Sequence, residues 1–307
     1  LRGDVDSDGG DGVEINWISL IVYVLAAPLV GGILTGLDRW LTARMQARRG
    51  PSILQAFYDV RKLWQKQNLV VRRSQNFYIV FFLIFVIFTG GLFFAGVDLL
   101  MVVFALTLAA IFFVLAAYKT SSPYAFVGAE RELMQMMAYE PMVLLTAIGM
   151  YMATKSVCVD AIGSFRVDAI ASYPGLMVLV LPGVFLGFVF TLLIKFRKAP
   201  FDLSSSHHAH QELVRGMTTE FSGRTLALIE IAHWYEIVFL LGWVYLFFAS
   251  MPWLGVVAAL AVFVLMVLID NAFARLKWRA LKSAWIVAAV LGFGNILILP
   301  WILTALK

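Results

Sequence analysis

Residues 99–118 read LLMVVFALTLAAIFFVLAAY, twenty positions without a charge, a proline or a glycine. At 1.5 Å per residue a helix of that length covers about 30 Å, the thickness of the hydrocarbon core of a bilayer. The period-two alternation of a membrane β-strand is absent, so the stretch is expected to be a transmembrane helix. Working outward, similar apolar runs lie at 16–37, 77–96, 133–153, 175–195, 226–248, 252–270 and 284–306, which makes eight expected spans. The first run is too long for a signal-peptide core, and its basic residues follow rather than precede it, so cleavage is not expected.

Composition agrees with these runs. Of 307 residues, 62% are apolar and 14% charged, with a mean hydropathy of +0.87. Soluble domains run near 45–50% apolar and about 25% charged. A chain this apolar could not cover its surface with polar atoms, which excludes a soluble globular enzyme, a disordered chain and a disulfide scaffold. The single cysteine, Cys158, excludes an internal disulfide and any Cys-ligated zinc or iron–sulfur site. The expected fold class is an all-α integral membrane protein, one membrane domain over residues 15–307. Residues 1–14 are expected to be a flexible acidic segment. Asp4, Asp6, Asp8 and Gly9 match the opening of a calcium loop, but Ile15 stands where that loop needs a bidentate Glu.

The basic residues give the expected direction. In the segments 38–76, 119–132, 196–225 (with Lys195) and 271–283 there are 20 of them, against 4 on the opposite side. Lys and Arg stay cytoplasmic, so both termini are expected outside the cytoplasm and the excess of positive charge marks topology rather than nucleic acid. The expected location is the cytoplasmic (inner) membrane of the cell. Segments 38–76 and 196–225 are the long cytoplasmic loops, rich enough in polar residues to meet a partner. In the first, Ile53, Phe57, Val60, Leu63 and Trp64 recur at helical spacing after Pro51. That pattern suits an amphipathic helix on the membrane surface, or an ordinary packed loop helix.

Acids inside the spans carry the functional reading. A carboxylate at the bilayer centre costs about 2.5–3.5 kcal/mol on insertion scales, so it normally faces protein or a wet path. Glu130, Arg131 and Glu132 open the fourth span, and Glu132, Gln135, Met136, Tyr139 and Glu140 follow on one helical face. Glu140 has no basic neighbour in its own span, a setting that suits a proton carrier. In the sixth span Glu230, His233 and Glu236 form a second stripe, read either as a proton relay or as an interhelical network that fixes packing. Glu230-x-x-His233 is half of a di-iron motif, but no second copy exists. In the loop after the fifth span, His207, His208 and His210 raise a metal-binding alternative to a polar interaction loop.

Three blocks of sequence resemble a known family. They are Ala43-Arg44 through Arg49-Gly50-Pro51 with Gln55, Asp59 and Lys62, then Gly128-Ala129-Glu130-Arg131 through Gln135 to Tyr139-Glu140. The third is Pro200-Phe201-Asp202-Leu203 with Gln211-Glu212-Leu213-Val214, Gly216 and Glu220-Phe221-Ser222-Gly223. Together they resemble the membrane subunit shared by respiratory complex I (its subunit 1) and the energy-converting membrane-bound [NiFe] hydrogenases, over residues 15–307. Ser204 to His210 replaces the acidic Pro-Glu-Ala-Glu of complex I, and His233 stands where that pattern has a Glu. The His-rich loop resembles the Ech-type and carbon-monoxide-linked hydrogenases.

The resemblance implies a subunit that anchors a cytoplasmic arm and holds no cofactor itself. The [NiFe] centre and iron–sulfur clusters would lie in partners: a [NiFe] large subunit, a small iron–sulfur subunit and a ferredoxin-like subunit. An antiporter-like membrane subunit would be a further partner. It implies that electrons from ferredoxin-dependent hydrogen chemistry drive proton or sodium movement. The expected ion path uses Glu140 as carrier, Glu130, Arg131 and Glu132 as entrance, and Glu230, His233 and Glu236 as relay. The expected contacts with the arm are Arg49, Asp59, Asp202, His207, His208, His210, Glu212 and Glu220. Rival expectations are a quinone-site subunit of complex I, a stand-alone proton-coupled transporter, for which no internal repeat is visible, and a passive anchor.

Overall fold

The computed structural model describes residues 16–68, 73–157, 165–204 and 215–305. The acidic segment 1–14, Cys158, the three loop histidines and Glu212 lie outside these. Among the described residues the regular structure is helical: α1 Trp17–Met45, α2 Gln55–Gln65, α3 Arg73–Phe94, α4 Leu99–Tyr118, α5 Pro123–Val157, α6 Val167–Ala171, α7 Met177–Val180, α8 Pro182–Lys195, α9 Gly223–Leu246, α10 Pro252–Ala272, α11 Lys282–Val287 and α12 Gly294–Ala305.

Seven helices, rather than the eight expected, are long and apolar enough to cross a membrane: α1, α3, α4, α5, α9, α10 and the continuous stretch Arg279–Thr304. The expected span 175–195 is broken. Pro182 has no amide hydrogen to continue the ladder, Leu181 leaves helical geometry (φ −121°, ψ 50°), and the run divides into α7 and the 14-residue α8. The amide freed at Val184 donates instead to Asn295 Oδ1 at 3.0 Å. Opposite α8, the last long helix carries a π-helical segment, Ala288–Phe293. The expected span 133–153 is also longer than its apolar core. Its helix starts at Pro123, so the acidic block 130–132 lies within α5 rather than before it.

α9 is the centre of the bundle, packed by α1, α2, α3 and α10, while α4 and α5 pack beside α3 and α8 packs on α5. Its contact with α1 is close because Gly31 has no side chain; a Cβ there would strike the backbone of Trp234. Reciprocal bonds join the same pair of helices, Tyr23 Oη to the Tyr235 carbonyl (3.2 Å) and Tyr235 Oη to the Val24 carbonyl (2.7 Å). α2 lies across α1 and α9. Ala56 is buried and the Phe57 ring meets Trp234 edge-on at 5.1 Å, while Tyr58 and Trp64 on the other side are exposed. The packed and the surface-helix expectations therefore each describe one face of α2.

Asp98 caps α4 by accepting from the Leu100 amide at 2.9 Å, and Gly96 (φ +81°) makes the turn before it. At the other end of the bundle the basic segments gather. The residues after α8 bond to α1 and α10, Asn68 bonds to Thr225 at the start of α9, and Gln46 bonds to Asn271.

Candidate functional site: a buried ionic cluster

The acids of α5 and α9 meet two cations delivered by the end of α8. Lys195 Nζ lies 2.7 Å from Glu236 Oε1, with the two side chains 7% and 8% exposed. Two residues on, Arg197 takes a positive φ of 50°, which turns the chain out of the helix. Its guanidinium reaches Glu132 (Nη2–Oε1 2.8 Å, Nε–Oε2 3.4 Å) and His233 Nε2 (2.6 Å from Nη1). Ser204 Oγ donates to the second Glu132 oxygen at 2.5 Å, and Gln135 holds the Phe201 carbonyl, also at 2.5 Å. The faces of Tyr139 and Phe113 cover Lys195 and Arg197, at 4.9 and 5.1 Å.

Two cations and two carboxylates are thus paired in a dry setting where either sign alone would be costly. A guanidinium only donates hydrogen bonds, so His233 Nε2 must accept, and the imidazole is uncharged in this arrangement. Protonating it would remove the accepting lone pair and set two cations at contact distance. The Arg197–His233 contact and a proton on Nε2 are therefore mutually exclusive, and this is the chemical use the geometry offers: a proton arriving at His233 must displace Arg197. Outside the spans, burial opposes the Arg197 charge, but Glu132 outweighs it and holds the guanidinium protonated.

The expected path residues divide among three places. Glu132, His233 and Glu236 join the cluster. Glu140 stands apart, half-buried beside Thr107, with one carboxylate oxygen buried and without a partner. Tyr139 Oη is likewise buried and without a partner. Glu230 does not continue the His233–Glu236 stripe into the cluster, which corrects the expected three-residue relay. Three-residue steps turn the helix by less than a full turn, so the stripe slants and Glu230 falls on the side facing α1 and α2. There it lines a cavity of about 370 Å³ with Arg39, Asp59, Lys62, Arg215 and Trp234. Glu130 accepts from Tyr118 Oη at 2.7 Å, and Arg131 reaches the Leu203 carbonyl at 3.5 Å, so both brace the loop after α8.

Of the expected arm contacts, Arg49 is exposed and Glu220 partly so. Asp59 pairs with Arg39 at 2.5 Å. Asp202 is buried and pairs with Arg275 at 3.3 Å, so its role in the structure is internal. Among the described residues no group of three His, Cys, Asp or Glu side chains is placed to hold a metal ion.

Sequence reasoning missed Lys195 and Arg197, reading them only as topology markers, and missed Ser204. A signal was present. Glu132 and Glu236 needed cations from another element, and a lysine closing an apolar run was the nearest supply.

Fold and site define a polytopic helical membrane protein built around a paired ionic cluster inside the bundle. The chain belongs to the NADH dehydrogenase family, which matches residues 18–300. It is similar to hydrogenase-4 component C of Escherichia coli, 31% identical over 225 residues (68% of this chain, 69% of that protein). It is also similar to an NADH-quinone oxidoreductase membrane component of Cereibacter sphaeroides, 31% identical over 322 residues (93% of this chain, 96% of that protein). In fold it matches a chain in the structure of the membrane-bound sulfane sulfur reductase, an archaeal respiratory membrane complex. The TM-score is 0.75 and the identity 23%, covering 91% of this chain and 99% of that one.

Proposed function

We propose that this chain is the membrane-anchoring and ion-coupling subunit of a multisubunit energy-converting [NiFe] hydrogenase, without a redox centre of its own. The observation that carries the reading is the buried cluster of Glu132, Lys195, Arg197, His233 and Glu236, which joins α5, the end of α8 and α9. A passive anchor has no use for four charges inside the bundle, whereas a coupling device needs groups that exchange protons and partners. Electrons would pass through a cytoplasmic arm of [NiFe], iron–sulfur and ferredoxin-like subunits. Movement at the loop after α8 would shift Arg197 between Glu132 and His233, and Glu140 would hand the ion toward an antiporter-like neighbour. In this reading α7 and α8 together make an eighth crossing, both termini face away from the cytoplasm, and the basic end of the bundle is cytoplasmic in the inner membrane.

The cavity under α2 favours one other reading, a quinone-site subunit of a complex I-type NADH dehydrogenase. Mass spectrometry of the intact complex separates the two, by [NiFe] or by NADH-oxidising partners. Within either, Glu140→Gln and Glu132→Gln are expected to leave assembly intact and to lower the ions moved per electron pair. Unchanged pumping in both variants would overturn the coupling role.

A further inference from the structure

Three successive cations after α8 go to three places. Lys195 meets Glu236 and Arg197 meets Glu132 and His233, both inside the cluster. Lys198 points the other way, to Asp38 near the end of α1 (2.5 Å) and Asp270 near the end of α10 (3.2 Å). Asp270 binds the segment twice, since its other oxygen accepts from the Ala199 amide at 2.8 Å. The next residues are tied to the chain beyond α10: the Pro200 carbonyl accepts from the Leu276 amide at 3.1 Å, and Asp202 pairs with Arg275 at 3.3 Å. The segment Arg197–Ser204 is therefore fastened on both sides. Its inner face holds the cluster through Arg197 and Ser204. Its outer face is held by α1, α10 and Arg275.

We propose that Lys198 is a positioning residue: clamped between Asp38 and Asp270, it fixes the turn that presents Arg197 to Glu132 and His233. The physical reason is leverage over one peptide unit. The Cα atoms of Arg197 and Lys198 are about 3.8 Å apart and joined by a rigid plane. A hydrogen bond is lost once the donor retreats beyond about 3.5 Å. The Arg197 contacts at 2.6 and 2.8 Å therefore tolerate less than about 1 Å of retreat by the turn. Opening or closing the cytoplasmic-end gap between α1 and α10 moves Asp38 and Asp270 relative to Lys198, and through it makes or breaks the cluster. A partner subunit pressing on that end would thereby act on buried groups it does not touch.

The clamp itself stands on the distances above. Its consequence for ion movement rests on the coupling function proposed above, so the experiment reads the two separately. In the assembled complex, with Cys158→Ser as background, Ala199→Cys reports the turn. Ala199 is 3% exposed, and a membrane-impermeant maleimide labels it only when the turn opens.

Lys198→Met is expected to raise the labelling rate about tenfold or more, whereas Lys198→Arg, which restores a cation between the two carboxylates, stays within about twofold of the parent. In the unlabelled background Lys198→Met is expected to lower ions moved per electron pair, measured per assembled complex, and Lys198→Arg to restore them. Labelling of Lys198→Met at the parental rate overturns the clamp. Raised labelling with an unchanged ion ratio, where Glu132→Gln also leaves the ratio unchanged, upholds the clamp and overturns the coupling function instead. Raised labelling with an unchanged ratio, where Glu132→Gln does uncouple, overturns the link from clamp to cluster. If Lys198→Met does not accumulate, Asp38→Asn and Asp270→Asn each leave Lys198 in place with one carboxylate, and their labelling rates decide in the same way.

Discussion

Consider Lys195→Met. The substitution keeps the length and apolar stem of the side chain and removes only the ammonium, leaving Glu236 at 8% exposure without its 2.7 Å partner. Breaking a buried pair from one side costs about 3–5 kcal/mol, because the remaining charge is desolvated and unpaired. Loss of the ammonium from the Tyr139 face, 4.9 Å away, removes a further contribution of up to about 2 kcal/mol. At about 2–4 °C per kcal/mol the thermal midpoint of the purified assembly should fall by about 6–15 °C. The double variant Lys195→Met, Glu236→Met removes both charges and fills the space with apolar atoms. Such replacements are neutral or stabilising by about 1–4 kcal/mol, so much of the stability should return. Ion coupling should not return with it, since the groups that exchange partners are gone. The assay is a double-mutant cycle of thermal midpoints, with coupled ion transport measured on the same preparations. If the two single losses simply add in the double variant, Lys195 and Glu236 do not act as a pair and the cluster is wrongly drawn.

Three further expectations follow from the same contacts. Arg197→Lys keeps the charge but cannot span Glu132 and His233 with one fork; it should destabilise by about 1–3 kcal/mol and lower ions per electron pair, read by thermal midpoint and transport. Gly128→Ala would bring a Cβ to 2.5 Å from the Met217 amide nitrogen and 2.8 Å from the Gly216 carbonyl carbon, backbone that cannot step aside; a loss of about 1–3 kcal/mol and poorer membrane accumulation are expected. For Lys198, burial opposes the charge, yet Asp38 and Asp270 outweigh it and hold the ammonium above the ordinary lysine range. A raised cationic pKa stabilises fully below the unfolded value, about 10.4, and its contribution is lost only as pH rises through the folded value. Maleimide labelling of Ala199→Cys, corrected for thiolate content, should therefore stay flat from about pH 7 to 9; a rise within that window would show the clamp titrating early.

The residues 99–118 illustrate how far the chain alone goes. A charge-free run of bilayer length can satisfy its backbone in lipid only as a helix, so α4 was legible to the residue, and α1, α3, α9 and α10 nearly so. The acids Glu132, Glu140 and Glu236, and with them His233, were also legible, because a polar group in an apolar run is conspicuous by its cost. What failed were the readings that depend on a neighbour distant in sequence. Pro182 breaks the expected span 175–195, and the break is tolerable only because Asn295, far along the chain, accepts the freed amide. Glu230 shares a stripe with His233 in sequence but faces a different cavity, because a three-residue step rotates it past the packed side. Lys195 and Arg197 looked like topology markers because charge at the end of a span has two uses, and sequence cannot say whether a carboxylate waits opposite.

By itself, then, the sequence determined a helical membrane protein, the positions of its apolar runs and the identity of its costly acids, since these follow from transfer free energies local to each segment. Only the tertiary structure decided which acid meets which cation, that Arg197 joins Glu132 to His233, and that Lys198 ties the same turn to α1 and α10. Ion pairs form across helices at a few ångströms, and that separation is set by packing rather than by position along the chain.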